Sequence, residues 1–592
     1  AGLPKKRPPT TPGSRIQTEN TMKTRFITRH YDPAAAARLQ SEGFSRPLAQ
    51  ALAGRRIVGK SEMDTGLAGL IPPTALPHAA EAASMLADAL EKGESVAVVG
   101  DYDCDGATAS TVAYQGLRLL GFRPEKVSWF IPDRMSMGYG LSPVVVDALT
   151  EKYGRPDIIL TVDNGMGSVE GVARANQLGI RVIVTDHHLP GEYLPAAACI
   201  VNPNGPDGAG APGNLAGVGV IFYVLIALRA ELRARGAFAA GQQPKLSKLL
   251  DLVALGTVAD VVPLDRNNRI LVAQGLKRLR SGRGSAGLTA LYTLANQNKR
   301  DISQISVRDL GFTLAPRINA AGRIANMEIG IQCLLAGEAN ATELASQLED
   351  INDQRKALER SMQEEALDSL SDADIEHRMS LVLSHPDWHQ GLVGLVASRV
   401  KERTHRPVIA FAPTKNGLLR GSGRSIPGLH LRYCLSRIDT MFPGLILRYG
   451  GHALAAGLTI RGDGLEQFRD AFEKVVSENI SPELLTEDIV VDGALAPEEI
   501  SFGLIREIDS VVWGQSFEAP LFANEFDIVR QTPLRGGEHL KATVSTAGQH
   551  FDAIFFRHST PLPGRVKLAY RLDVNEWMGR KSLQLMIENA EE

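Results

Sequence analysis

The sequence predicts an α/β multidomain protein: a parallel-sheet domain, a long connecting helix, a smaller α/β domain and a C-terminal β-barrel. Three observations carry that prediction. From about Ala79 to Asp265, short β-branched runs alternate with helical patterns, as a parallel sheet with crossover helices requires. From Glu338 to Asp374 there is neither Gly nor Pro, only a charged stretch rich in Ala, Leu, Glu and Gln. From about Asp488 onward the pattern changes to successive strand-like runs. At 592 residues the chain is too long for one core, and the usual length prior gives about four domains. The boundaries read as an N-terminal tail and lead-in over 1–75, the parallel-sheet domain over 76–336, the connecting helix over 337–376, the second α/β domain over 377–480 and the barrel over 481–592.

Taken in order, Ala1 to Thr24 is basic and Pro-rich without the apolar stretch of a secretory signal, and is expected to be a disordered tail; Met22 is a candidate start. Val96 to Val99, Ile158 to Val162 and Val182 to Thr185 read as buried strands, with helices near Ala107 to Leu120 and Val169 to Leu178. The longest apolar run, Leu215 to Leu228, has 14 residues and ends at Arg229, short of the ~20 that span a bilayer, so it reads as a buried helix. Leu249 to Val258 is apolar at helical spacing and presents Asp260 just past its end. The Glu338 to Asp374 stretch reads as one exposed helix acting as a spacer. Leu381 to Ser384 and Val408 to Phe411 are strands of the second α/β domain, which closes with a helix near Leu465 to Glu478. Phe526 to Arg530, Leu540 to Ser545, Phe551 to Phe556, Val566 to Val574 and Ser582 to Ile587 suggest a five-stranded barrel such as an OB-fold.

Hydrophobic content of 44% and charged content of 22% exclude wholesale disorder. Lys plus Arg (64) nearly balance Asp plus Glu (67), so contact with a polyanion must come from local patches. Cys104, Cys199, Cys333 and Cys434 are scattered without a CxxC pair, which fits a reducing cytoplasm, and Cys104 reads as packing.

The chemistry gathers at strand ends. Val96 to Val99 runs into Gly100, Asp101, Tyr102, Asp103, Cys104, Asp105 and Gly106; Ile158 to Val162 runs into Asp163; Val182 to Thr185 runs into Asp186, His187 and His188. In a parallel sheet the ligand site lies beyond the carboxyl ends of the strands, so these termini can converge although they are distant in sequence. Each alone is open to a plainer reading, since an isolated Asp-Gly or Asn-Gly is a turn and a lone His after a strand is often structural. Three carboxylates within five residues would repel one another unless counter-charged, which favours a cation site over a surface turn. Asp103, Asp105, Asp163 and Asp260 with His187 make a mixed oxygen and nitrogen set suited to manganese or magnesium. Two such ions ~4 Å apart can supply what phosphodiester hydrolysis needs.

The ordered series GDYDCDG (100–106), TVDNG (161–165), TDHH (185–188) and GTVADVVPL (256–264) resembles the DHH phosphoesterase superfamily. The later segments PRINAAGR (316–323), WHQGLVGLVASR (388–399), RGSGRS (420–425) and GGHALAAG (450–457) sharpen the resemblance to the RecJ family of bacterial single-strand-specific exonucleases, over nearly all the chain after about residue 75. The resemblance implies a DHH catalytic domain, a DHHA1 domain and an OB-fold nucleic-acid-binding domain. It implies two divalent ions, manganese preferred and magnesium possible, held by Asp103, Asp105, Asp163, His187 and Asp260, with Asp163 as the bridge. Asp101 would stand behind them or ligate occasionally, and Asp186 would orient a histidine. His188 is implied to face the scissile phosphate, with simple orientation of a ligand as the alternative.

Arg134, in IPDRMSMGYGL, sits between an apolar strand and a Gly-rich turn, where it can reach a phosphate or remain an ordinary surface charge. Arg317, Asn319 and Arg323 stand among small residues that permit close backbone approach. The resemblance implies that these four contact the strand being cut, that Ser422 and Arg424 hold a 5'-terminal phosphate, and that Gly450, Gly451 and His452 face a phosphate. In the barrel, Phe551, Phe555, Phe556, Tyr570 and Trp577 accompany Arg530, Lys541, Arg557, Lys567, Arg571, Arg580 and Lys581, a composition suited to stacking single strands, though most of these aromatics are expected in the barrel core.

The function implied is a metal-dependent exonuclease degrading single-stranded DNA from the 5' end to nucleotides, in recombination and repair. A single-strand-binding protein and a RecQ-type helicase are the implied protein partners, and the chain is expected to be a cytoplasmic monomer without membrane contact. A phosphodiesterase for oligoribonucleotides or cyclic dinucleotides is the alternative, against which the extra barrel argues. A scaffold that binds DNA without cutting is a third, and such a protein should have lost ligands, whereas every motif acid is present.

Overall fold

The computed structural model describes residues 25–591 except 209–210, 240, 298–299, 371–376, 415, 482–483, 485–487, 535, 537–538, 559 and 578–579. The expected tail over 1–24 with Met22, and residues 371–376 of the expected connecting helix, lie outside the described residues, as does the side chain of Trp577.

Two compact units form. One contains the described part of Ala1–Arg29, Ser481–Glu498 and Leu521–Glu592; the other contains His30–Ile480 and Glu499–Pro520. This is not a single cut at residue 481. Strand β1 (Arg25–Thr28) pairs in parallel with a strand more than 450 residues later, Asp488–Val491. Within the other unit, Gly514–Phe517 is fastened to the segment after Asp260: Leu264 N–H donates to the Gln515 carbonyl at 2.8 Å, and the Arg269 guanidinium lies 4.2 Å from the Phe517 ring centroid.

The first sheet of the larger unit is wholly parallel, in the order β3 (Val127–Phe130), β2 (Val96–Gly100), β4 (Ile158–Val162), β5 (Arg181–Thr185), β6 (Cys199–Val201). β2 and β4 are buried along their whole length, which explains their continuous apolar sequence. The helix Cys104–Leu119 packs on two apolar helices, Gly217–Ala234 and Leu250–Ala259. It begins three residues before the expected start because the Asp103 carboxylate accepts the Gly106 N–H at 2.9 Å and caps it. Cys104 is thereby in a first helical turn, buried.

The long helix is Glu338–Asp368, and it is more than an exposed spacer. Ala341, Ala345, Leu348, Asn352, Glu359, Met362 and Ala366 form a buried stripe, mixed enough in polarity to escape a hydropathy reading. The second sheet runs β10 (Ile446–Gly451), β11 (Ala455–Arg461), β9 (Leu418–Arg424), β8 (Val408–Pro413), β7 (Leu381–Ser384), with only β7 and β8 parallel. Its glycine-rich segments are strands rather than turns. Gly421 and Gly423 sit where a Cβ would meet Phe411 at 2.4 Å and Leu431 at 2.7 Å, so the core on that face leaves no room for a side chain.

In the smaller unit, β12 (Asp488–Val491) precedes a closed barrel in the order β13 (Phe522–Leu534), β14 (His539–Thr546), β15 (Gln549–Phe556), β17 (Arg580–Glu591), β16 (Arg565–Trp577). The strands are longer than expected because polar residues continue the ladders beyond the apolar runs. Phe526 and Tyr570 are barrel core, whereas Phe556 is 46% exposed. Among the described residues no helix is long and apolar enough to cross a membrane, and all four cysteines are free and buried.

Candidate metal centre

Strand register brings the acids together. Gly100 pairs with Val162 and Val162 with Thr185, so Asp101, Asp163 and Asp186 leave three adjacent strands at the same level. Asp103 caps the helix that follows, and Asp105, in its first turn, accepts the N–H groups of Gly217 at 2.6 Å and Val218 at 3.0 Å. Those amides open the helix Gly217–Ala234, whose N-terminal dipole favours a carboxylate. Asp260 ends the helix Leu250–Ala259.

The backbone is strained around these ligands. Asp163 adopts φ 60°, a left-handed conformation that Asp tolerates better than most residues. Val261, next to Asp260, also has φ 60°, where a β-branched residue is a genuine outlier. Gly217 lies so close to Asp163 that a Cβ would come within 2.4 Å of the aspartate Cβ. At Gly256 a Cβ would stand 2.7 Å from Asp105 Oδ1.

His187 Nε2 lies 3.2 Å from Asp163 Oδ1 and 3.4 Å from Asp260 Oδ2. Yet Nε2 and Asp163 Oδ1 are both buried without an aligned hydrogen bond, as expected of atoms aimed at a common centre rather than at each other. Three sets have ligand atoms within 4.8 Å of one another: Asp163, His187 and His188; Asp105, His187 and Asp260; Asp101, Asp103 and Asp163. Shared members make these sets one continuous cluster. Burial, then the charges of Asp105 and Asp103, pushes the Asp163 carboxyl well above its ordinary range. Burial and the charge of Asp103 raise Asp105 to about 7, and burial and the neighbouring carboxylates raise Asp101 and Asp260. Burial, with the His188 charge, lowers His187 to about 4, leaving it neutral and fit to ligate. This donor set fits divalent cations of the manganese and magnesium type.

Asp186 serves His188. Its Oδ1 bonds His188 Nδ1 at 2.7 Å, and it also accepts the N–H groups of His187, His188 and Met166. Burial opposes a charge on His188, but the Asp186 bond and charge raise it to about 9. Tyr139, between two glycines in MGYGL, places its hydroxyl 3.3 Å from the same Nδ1 and its ring edge-on to His188. Tyr139 is not among the residues the sequence motifs single out; its place between two glycines after a strand is the signal that marks it.

The expected substrate residues separate into two groups. Arg317 gives its guanidinium to Glu349 of the long helix and to the Thr313 carbonyl, and Asn319 Oδ1 accepts the Cys104 N–H at 2.9 Å between two acids. Both are engaged with protein. Arg134 stacks over Tyr102 at 4.9 Å, Arg323 donates to the Gly391 carbonyl at 3.3 Å, and Arg424 donates to Ser422 Oγ at 3.1 Å and the Gly423 carbonyl at 2.8 Å. Among the described residues none of these three arginines has a carboxylate partner. Burial, then the charges of Arg134 and Arg424, lowers Arg323 to about 10, and burial followed by the Arg134 charge lowers Arg424, so the three lie within electrostatic range of one another. Ser422 and Arg424 lie two apart on β9 and so share a face. Gly451 has φ 140°, and His452 N–H donates to the Ala455 carbonyl at 2.8 Å across the β10–β11 hairpin. Burial and the charge of His188 lower His452, which places the hairpin tip within electrostatic reach of the metal centre.

Comparison with known proteins gives three family matches: residues 95–257 to the DHH family, N-terminal domain; 378–478 to the DHHA1 domain; and 491–589 to the RecJ OB domain. The chain is 46% identical over 553 residues to the single-stranded-DNA-specific exonuclease RecJ of Salmonella typhimurium, covering 91% of this chain and 94% of that one. The Escherichia coli protein of the same name is 45% identical over the same shares. Among solved structures, RecJ from Thermus thermophilus in complex with Mn2+ superposes with a TM-score of 0.81 at 29% identity, covering 96% of this chain and 80% of that one. The Mg2+ complex gives 0.76 at 28% identity, covering 96% and 79%.

Proposed function

The chain belongs to the RecJ family of single-stranded-DNA-specific exonucleases, and on that premise we propose that it hydrolyses single-stranded DNA to nucleotides from the 5' end, acting in recombination and repair. The observation that carries the chemistry is the pair of orphaned ligand atoms, Asp163 Oδ1 and His187 Nε2, within a cluster of buried carboxylates. Asp103, Asp105, Asp163, His187 and Asp260 are the residues that would hold two divalent ions, manganese preferred and magnesium possible, with Asp101 behind them. Such ions, when bound, would acidify a water and neutralise the phosphate. His188, fixed by Asp186, donates from its ring toward the non-bridging oxygen of the scissile phosphate, where charge grows. The hairpin tip at Gly450, Gly451 and His452 faces the same phosphate, and Arg134, Arg323, Ser422 and Arg424 hold the 5'-terminal phosphate.

Residues 76–336 are assigned to catalysis, 337–376 to the connecting helix, 377–480 to holding the 5' end and 481–592 to binding single strands. Arg317 and Asn319 act on the strand only by holding the loop and helix that meet it. A RecQ-type helicase and a single-strand-binding protein are proposed partners, because they produce and coat the strands this site accepts. End-labelled single-stranded and blunt duplex DNA, incubated with manganese, should show release of labelled nucleotide from the 5' end of the single strand alone. Equal cutting of the duplex, or release beginning at the 3' end, would overturn the proposal.

A further inference from the structure

The three arginines without carboxylate partners have a further neighbour in His389. His389 lies in the loop 385–392, between β7 and the helix Val393–Thr404. The loop is pinned on both sides of His389: Trp388 Nε1 donates to Glu365 Oε2 at 2.9 Å, and Gln390 Nε2 donates to the Pro413 carbonyl at 2.8 Å. It also runs against the arginines. A Cβ on Gly391 would stand 2.3 Å from the Arg323 backbone carbonyl, so that position needs glycine for the loop to approach so closely. In the first turn of the helix that follows, a Cβ on Gly394 would stand 2.9 Å from both Arg424 Nη2 and Ser422 Oγ, so the same segment also meets Arg424.

The tautomer of His389 follows from its own contacts. Nδ1 accepts the Gly391 N–H at 3.1 Å, so the ring proton sits on Nε2, and among the described residues Nε2 has no partner. Burial, then the Arg134 charge, lowers the imidazole from its ordinary value, which keeps it neutral and within range of the Arg134 charge. A neutral donor can join three guanidiniums at one anion without adding to their repulsion, whereas a fourth cation would add to it.

We propose that His389 is a further residue of the terminal-phosphate pocket, donating Nε2–H to a 5'-phosphate monoester held by Arg134, Arg323 and Arg424. Three unpaired guanidiniums suit the dianion of a terminal monoester better than the single charge of an internal diester, and His389 sharpens that choice. The inference rests on the reading of Ser422 and Arg424 as the holders of the 5' end.

The test compares kcat/KM for 5'-phosphorylated and 5'-hydroxyl single strands in the wild type, R424Q, H389A, H389Q and H389N. Gln can present a donor near the Nε2 position, while Asn can replace only the acceptor for Gly391. The expected result is a wild-type preference for the phosphorylated strand that falls about tenfold in H389A and H389N and stays within about threefold in H389Q. An equal loss on both strands, an unchanged ratio in H389A, or rescue by Asn instead of Gln would make His389 a loop anchor and overturn the inference. If R424Q abolishes the preference while every His389 variant keeps it, the pocket stands and His389 does not belong to it. If the wild type shows no preference at all, the pocket itself fails and the inference falls with it.

Discussion

Two regions of the larger unit carry opposite surpluses of charge. Among the described residues, Asp101, Asp103, Asp105, Asp163 and Asp260 cluster with no Lys or Arg bonded to them, whereas Arg134, Arg323 and Arg424 feel one another's charge with no carboxylate bonded to them. They are built differently. The acids stand on strand ends and helix termini, so backbone geometry fixes them within a turn of their elements. The arginines reach on long side chains from a loop, a helix and a strand of the second sheet, and their meeting depends on how those elements pack. Each surplus is costly by itself and is relieved by a ligand of opposite sign: a cation for the first, a phosphate for the second. On the proposed function, the first region does the chemistry and the second holds the end of the strand.

The largest effect should come from neutralising the acid side at its centre. Asp163→Asn is expected to lower cleavage by about a thousandfold or more, comparable to losing a principal stabiliser of transition-state charge, while single-strand binding is retained. The same substitution should raise the melting temperature of the metal-free protein, because it removes a charge that burial disfavours. The pH dependence has a definite sign. Carboxyls raised in the folded state bind protons that the unfolded chain releases, so their stabilisation is present at low pH and is lost as pH rises through the folded values. For Asp105 that window extends to about 7. Metal-free protein should therefore melt lower at pH 8 than at pH 5.5, and manganese should reverse the trend. Melting curves with chelator and with manganese decide it; a wild type that melts alike under both conditions at pH 8 would break the comparison on this side.

A smaller effect is expected where the acids are undisturbed but their seat is not. A Cβ at Gly217 would come 2.4 Å from Asp163 Cβ and 2.6 Å from its Oδ1. Gly217→Ala should thus weaken manganese activation by about 10- to 100-fold, the range for losing support behind a ligand. The measurement is the manganese concentration giving half-maximal cleavage. A variant with a normal midpoint and only a lower melting temperature would mean that Gly217 serves packing alone.

Much of the acid side was legible in the sequence because an apolar run followed by an acid marks a buried strand and what leaves its end. Asp101, Asp163 and Asp186 needed nothing more than parallel register to meet. What escaped depends on partners far along the chain. Arg317 looks like a substrate contact until Glu349, 32 residues later, takes its guanidinium. Gly217 lies in an apolar run that gives no sign of Asp163 above it, and nothing local to Gly421 and Gly423 tells that Phe411 and Leu431 occupy the space beside them. The pairing of Arg25–Thr28 with Asp488–Val491 has no local signature in a four-residue strand. His389 was visible as a residue, but its role required knowing which ring nitrogen Gly391 occupies.

The smallest effect belongs to the arginine side, since a pocket of three guanidiniums can lose one and still hold an anion. Arg424→Gln removes a charge that burial and Arg134 both disfavour, and it leaves Ser422 Oγ without its 3.1 Å donor. Cleavage of a 5'-phosphorylated strand should fall by about tenfold, the low end of the loss expected of one charge-assisted contact. The unliganded protein should melt slightly higher, by about 1 °C or less, because repulsion within the cluster is removed. Inorganic phosphate provides the sharper comparison. It should raise the melting temperature of the wild type by binding the native pocket, and raise that of Arg424→Gln by clearly less. An equal rise in both proteins would mean that phosphate acts as an excluded salt, and the arginine cluster would then be a repulsion tolerated for packing rather than a site waiting for an anion.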